Sequence, residues 1–192
     1  LPLLAAPADD ARAMLEKAGI KNGFIVKLGA DAELAAALRA NAGTQVQALD
    51  TDAMRVTAAR DALRAKGAYG EVSVERFDGK SLPYIDGIVN LFIADEPGSV
   101  TMDEVNRVLV PNGVAIIKGQ RTVKAKPAGL DEWTHYFYDA KGNATSHDEV
   151  VGPPNRLQWL GSPRWSRHHD RISSTNAQVT AGGRLFTIMD EG

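Results

Sequence analysis

The 192-residue chain contains no cysteine. That excludes disulfides, zinc–thiolate centres and a cysteine nucleophile, and it leaves the redox compartment open. No run approaches the roughly 18 apolar residues of a membrane-spanning helix. An excess of one charge is missing too. The formal net charge of -2 gives no field that would draw the chain to nucleic acid or anionic lipid. A small basic strip, Lys118, Arg121, Lys124 and Lys126, lacks the interleaved aromatics of a single-strand binder. His135, His147, His168 and His169, with Asp139, Asp148 and Asp170, have ligand chemistry but no H-x-x-x-H or H-E-x-x-H spacing. Structural hydrogen bonding is their expected role, and no metal is expected. Ser166 stands near His168 without the strand–elbow–helix context of a nucleophile. There is no internal repeat.

What is present is ordinary globular material, 44% hydrophobic and 24% charged. The length suits one full domain and part of a second. Residues 1–8, LPLLAAPA, start without an initiator Met and end with Ala6 and Ala8 in an A-x-A arrangement. This resembles the end of a secretory signal, so an exported or periplasmic location is expected. The alternatives are a loose leader or the edge of a fragment, in a cytoplasmic protein.

Residues 9–119 alternate strand and helix patterns. Asp9 or Asp10 caps a first helix that runs through Lys17 and stops at Gly19. Phe24–Leu28 reads as a strand, Ala32–Ala40 as a helix, and Val46–Leu49 as a strand closed by Asp50. Asp52 caps a third helix that ends near Gly67. Val72–Phe77 and the apolar run Ile85–Ala94 read as strands, the latter buried on both faces. Met102–Leu109 is a helix stopped by Pro111 and Gly113, and Val114–Lys118 is a fifth strand. Thr122–Ala125 is a candidate for one strand of a final antiparallel hairpin. Such alternation predicts an α/β architecture, a parallel sheet with right-handed crossovers.

The character changes at Gln120. Residues 120–155 read as a linker or extension without helical period. Residues 156–192 carry two short apolar pieces, Leu157–Leu160 and Leu185–Met189, separated by Gly161-Ser162-Pro163 and Gly182-Gly183. Trp159 and Trp165 suit packing of strand on strand, with stacking on a sugar or cofactor as the alternative. Arg164, Arg167 and Arg171 suit a solvated edge or pairing with Asp170, with phosphate binding as the alternative.

Open parallel sheets bind ligands beyond the carboxyl ends of their strands. Three such ends stand out. The first is the turn Gly29-Ala30-Asp31-Ala32-Glu33, where glycine allows close backbone approach and a helix start offers free N–H groups. The second is Asp50, about twenty residues on, an acid able to accept from both ribose hydroxyls of an adenosine. The third is Asp78-Gly79, where a short polar side chain reaches an adenine amine. Singly, each acid is also an ordinary cap or turn residue.

Residues 20–118 resemble a class I S-adenosylmethionine-dependent methyltransferase domain. The resemblance rests on FIVKLGADAELAAAL, VQALDTDAMRVTAAR and VERFDGKSLPY, and most specifically on MDEVNRVLVPNGVAIIKG. It implies a Rossmann-like sheet of order 3-2-1-4-5 and S-adenosylmethionine as the cofactor. It places Gly29 under the methionine part, Asp50 at the ribose, and Asp78 with Gly79 near adenine, with Asp31 and Thr51 as further cofactor-binding residues. The chain departs from the family at GADAE, where G-x-G-x-G is usual. Ala30 and Ala32 bring Cβ atoms to the turn, and Glu33 brings a carboxylate. Asn90 stands on strand four where Asp is frequent, and Asn112 replaces a glycine of the Pro-Gly-Gly turn.

The segments LDEWTHYFYDAKGNATSHD, VVGPPNRLQWLGSPRWSRHHDR and AGGRLFTIMDEG resemble the entry into a pyrroloquinoline-quinone-type β-propeller of exported bacterial proteins. That resemblance implies a C-terminal β-rich extension, a truncated propeller whose remainder would be the partner of these strands. Two functions follow as expectations. One is a degenerate methyltransferase-like domain with weak or lost cofactor binding, attached to the propeller. The other is an active methyltransferase with an unknown acceptor.

Overall fold

The computed structural model describes residues 6–152 and 175–189, and the chain divides into two units, Leu1–Ala125 and Lys126–Gly192. The first unit starts with helix α1 (Pro7–Ala18). Its N-cap is Ala6, without a side-chain bond, and Pro7 occupies the first turn. Asp9 and Asp10, expected as caps, sit inside that turn instead. Proline is pre-organised for a helix start, and carboxylates there complement the helix dipole.

Strand β1 (Gly23–Leu28), helix α2 (Ala32–Leu38), strand β2 (Thr44–Asp50) and helix α3 (Ala53–Ala65) follow. Asp31 caps α2 by accepting from Leu34 N, and Asp52 caps α3 by accepting from Met54 N and Arg55 N. Helix α2 stops at Leu38, short of the expected Ala40, because an Asn41 turn follows, in which Gly43 N–H donates to the Asn41 side chain. Strand β3 (Val72–Arg76) comes next, then β4 (Val89–Ala94), helix α4 (Met102–Val108), β5 (Leu109–Ile117) and β6 (Gln120–Val123).

The sheet order is β3-β2-β1-β4-β5-β6, with β6 alone antiparallel. The expected order 3-2-1-4-5 is present, extended by a hairpin strand that begins two residues before Thr122. Helices α1, α2 and α3 cover one face, bringing Leu38 of α2 and Leu63 of α3 into one cluster with Ile25, Val46 and Leu91. Helix α4 covers the other over Val26, Leu49, Phe92 and Leu109. Neighbours Ile25 and Val26 point to opposite clusters, which is why β1 must be apolar on both sides.

Two expectations change. The run from Ile85 does not form one strand; β4 starts at Val89. Arg107 on α4 holds the preceding loop, donating to Leu82 O, Tyr84 O and Asp86 Oδ1. Glu104 accepts from Leu82 N–H and from Arg107. Pro111–Gly113 does not stop α4, which ends at Val108; it lies inside β5, where the register with β4 shifts. Asn112 carries φ 63 there, a left-handed conformation that asparagine tolerates better than most side chains.

In the second unit, β7 (Thr175–Ala181) and β8 (Arg184–Met189) form an antiparallel hairpin around Gly182-Gly183. Both glycines have positive φ, 57 and 72, as a tight hairpin turn requires. Val179 faces Phe186 and Ala177 faces Ile188 across the pair, giving one apolar face. Trp133 exchanges hydrogen bonds with Thr180. Tyr138 and the His147 amide both donate to Asp131 Oδ2. The expected strand Leu185–Met189 is thus β8. Leu157–Leu160, Trp159, Trp165, Arg164, Arg167, Arg171, His168 and His169 lie outside the described residues. Among the described residues, no helix is long and apolar enough to cross a membrane.

Candidate functional site

A cleft of about 530 Å³ opens beyond the carboxyl ends of β1, β2, β3 and β4. Gly29, Asp50, Thr51, Asp78 and Gly79 all line it, together with Arg55. Five of the six residues singled out from the sequence therefore converge. Asp31 does not line the cleft; its carboxylate is spent on the α2 cap. A second cleft, about 440 Å³, lies at the opposite pole of the sheet, lined by Gly23, Arg39, Gly43 and Glu71 among others. Arg39 is there paired with Glu71 at 2.8 Å, and no acid or nucleophile cluster converges.

Asp50 is the best-anchored side chain of the site and only 5% exposed. Its Oδ2 accepts from Ala30 N–H at 2.9 Å. Its Oδ1 accepts from Asp52 N–H and from Arg55 Nη2, each at 2.9 Å. Burial pushes this carboxyl up, but the Asp52 and Ala30 amides and the Arg55 guanidinium outweigh it. The group therefore titrates below the ordinary aspartate range. A carboxylate offers about four acceptor positions, so three of them are already taken.

Asp78 is held by its own turn. Its Oδ1 accepts from Lys80 N–H at 2.8 Å and Ser81 N–H at 2.7 Å, and these amides lower its pKa. Next to it, Gly79 has φ +81, and an added Cβ would make a tight contact of 3.0 Å with the Thr51 methyl.

Gly29 adopts φ +95, which only glycine takes up without strain. Beneath it lies Lys27, 5% exposed, whose ammonium donates to Leu28 O at 3.1 Å and Gly29 O at 3.3 Å. Burial lowers the Lys27 pKa; Asp31, Asp95 and Asp50 oppose that shift. Neither Lys27 nor Arg55 stood out from the sequence as a site residue. A lysine inside FIVKL was the available signal, because charged residues are rarely buried without partners. Arg55 was readable as a cation in the first turn of the helix that follows Asp50.

The eroded glycine turn behaves differently from expectation. Ala32 is buried in the core under α2 and Ala30 packs against that core. Neither lines the cleft and neither carries positive φ. Glu33 also points elsewhere, paired with Lys66 at 2.9 Å. Asn90 lies at the amino end of β4, where it accepts from Phe24 N–H.

The residues fit the adenosine part of S-adenosylmethionine: an acid at the ribose position, Asp78-Gly79 at the adenine position, and an open cleft between. The methionine part fits poorly. It carries a sulfonium and an ammonium against one carboxylate, a net positive charge, and the turn it would lie on has the Lys27 ammonium beneath it. No His, Cys or Tyr lines the cleft, and the described residues hold no group of three or more metal-ligating side chains.

No family model matches the chain, and a search of curated proteins finds no match. Solved structures share the fold of the first unit. One, described as an S-adenosyl-L-methionine-dependent methyltransferase from Methanococcus maripaludis, is 19% identical with a TM-score of 0.51, over 58% of this chain and 54% of that one. The (4+2)-cyclase SpnF is 19% identical with a TM-score of 0.51, over 65% of this chain and 47% of its own. Geranyl diphosphate methyltransferase, in complex with S-adenosylmethionine, is 16% identical with a TM-score of 0.50, over 57% and 48%. The chain thus spans about half the length of the solved structures it matches. Residues of the first unit have the Rossmann-like methyltransferase fold.

Proposed function

We propose that the first unit is a degenerate methyltransferase-like domain that binds S-adenosylmethionine weakly. In this reading it serves as a folded carrier for a C-terminal quinoprotein-like β-propeller, to which β7 and β8 belong. The observation that carries the reading is the state of Asp50. The chain's own Ala30, Asp52 and Arg55 already take three of the about four acceptor positions on the carboxylate that a ribose would need. The Lys27 ammonium under Gly29 adds to this, because it opposes the net positive charge of the cofactor's methionine group. The exposed apolar face of the hairpin, with Phe186 and Ile188, supports attachment to further strands. Fold neighbours include a cyclase as well as methyltransferases, so likeness of fold alone assigns no reaction.

Calorimetric titration tests the reading. Dissociation constants for S-adenosylmethionine weaker than about 100 μM are expected, corresponding to less than about 5.5 kcal/mol of binding free energy. Micromolar binding that Asp50→Ala abolishes would sink it.

A second reading, an active methyltransferase with an unidentified acceptor, has one observation in its favour. Ala30 and Ala32 turn into the core, so their Cβ atoms leave the cleft open. Methyl transfer needs positioning more than a general base, so the lack of His, Cys or Tyr in the cleft does not oppose it. Transfer of a labelled methyl group to cell extract would favour it; a blank result alongside weak cofactor binding supports the carrier.

A further inference from the structure

The three donors on Asp50 are not equivalent. Ala30 N–H belongs to the β1–α2 turn and Asp52 N–H to the α3 cap, so the backbone fixes both. The third donor is a side chain. Arg55 lines the cleft, and its side chain is 65% exposed. It has a second carboxylate close by, since its Nε lies 3.8 Å from Asp52 Oδ2. A rotation of Arg55 toward Asp52 therefore frees Asp50 Oδ1 without leaving the guanidinium unpaired.

We propose that Arg55 is an internal competitor of nucleoside binding: its guanidinium holds the sector of the Asp50 carboxylate to which a ribose diol would donate. The inference rests on reading the cleft as a nucleoside site. Asp50 is almost wholly buried, so little of its carboxylate faces the cleft. Arg55 reaches that carboxylate from the cleft side. Diol and guanidinium are both donors, and the guanidinium takes the second position on Oδ1, so two hydroxyls are left one position, on Oδ2. A ligand must displace an ion-paired guanidinium to gain hydroxyl bonds that bring no positive charge to the carboxylate, which is an unfavourable exchange. The competitor thus contributes to the weak affinity even though the cleft itself is open. Removing it should favour vicinal diols specifically, because only they address Asp50. Lys80, also on the cleft wall, does not bond to Asp50 and should not share this effect.

The test uses the full chain and adenosine as the probe. Binding is followed from the Ala30 and Asp52 amide resonances up to millimolar ligand, with Arg55→Ala, Arg55→Gln and Asp50→Asn. Adenosine is expected to bind about twofold tighter to either Arg55 variant than to the parent chain. The gain should vanish with 2′,3′-dideoxyadenosine and when Asp50→Asn is added. Equal affinity in parent and variants overturns the proposal, as does an equal gain for dideoxyadenosine. Absence of binding in all chains also overturns it, while leaving the carrier function standing. Micromolar S-adenosylmethionine binding by the parent would remove the carrier function instead, and the Arg55 comparison would still decide the competitor.

Discussion

Asp50 and Asp78, two of the four acids that line the cleft, close neighbouring strands, yet the fold uses them differently. Asp50 ends β2, is nearly buried, and ties together two turns and a helix start. Asp78 follows β3, and its bonds stay within its own turn at Lys80 and Ser81. One acid is a joint between elements and the other a local fastener. Convergence on a cleft therefore does not make two carboxylates equivalent, either for ligand binding or for stability.

Breaking the joint should have the largest effect. Asp50→Ala leaves the Ala30 and Asp52 amides without their acceptor and is expected to cost about 2 to 3 kcal/mol in chemical denaturation. Gly29→Ala strains the same turn through its positive φ and should cost about 1 to 2 kcal/mol. The fastener should matter less: Asp78→Ala is expected to lose under half of what Asp50→Ala loses. A larger loss would erase the distinction between the rims. Arg55→Ala should change stability least, by under about 0.5 kcal/mol, because the pair is exposed on the arginine side and the backbone donors remain.

Acid sharpens the same contrast. The Asp50 carboxyl sits below its unfolded value of about 3.9, so its contribution is fully present above that pH. It is lost as pH falls through the folded value. Glu104, lowered mainly by its bond to Arg107, adds to the loss in the same direction. Melting temperature should therefore fall steeply below about pH 4, and Asp50→Asn should flatten that fall. An unchanged pH profile in the variant would place the acid sensitivity elsewhere.

Much of the first unit was legible because its signals are local. Asp31 and Asp52 announce helix starts, FIVKL and VQALD announce strands, and Gly29 announces the turn. What misled depended on distant partners. Glu33 looked like a cleft residue until Lys66, at the end of another helix, drew it away. Ala30 and Ala32 looked obstructive because sequence does not say which way a Cβ points; the core under α2 takes both. The late start of β4 depends on Arg107, which binds the preceding loop from α4. For the site, the converging residues were readable, but their prior engagement was not. That engagement is a matter of which donors reach Asp50 first.

The position of β1 in the middle of the sheet has a kinetic consequence. Its partner β2 follows after one short helix, so this side can close early. Its other partner, β4, pairs Ile25 with Leu91 and Val26 with Phe92, more than sixty residues downstream. Closing so long a loop is slow, and parallel pairing gives no local hairpin to guide it. Until it closes, β1 presents an open apolar edge to other chains. The half with β1, β2 and β3 already contains the Asp50–Ala30 bond, so it can hold its shape while it waits. Aggregation during refolding should therefore track the lifetime of that edge, and it should ease when chain concentration is lowered.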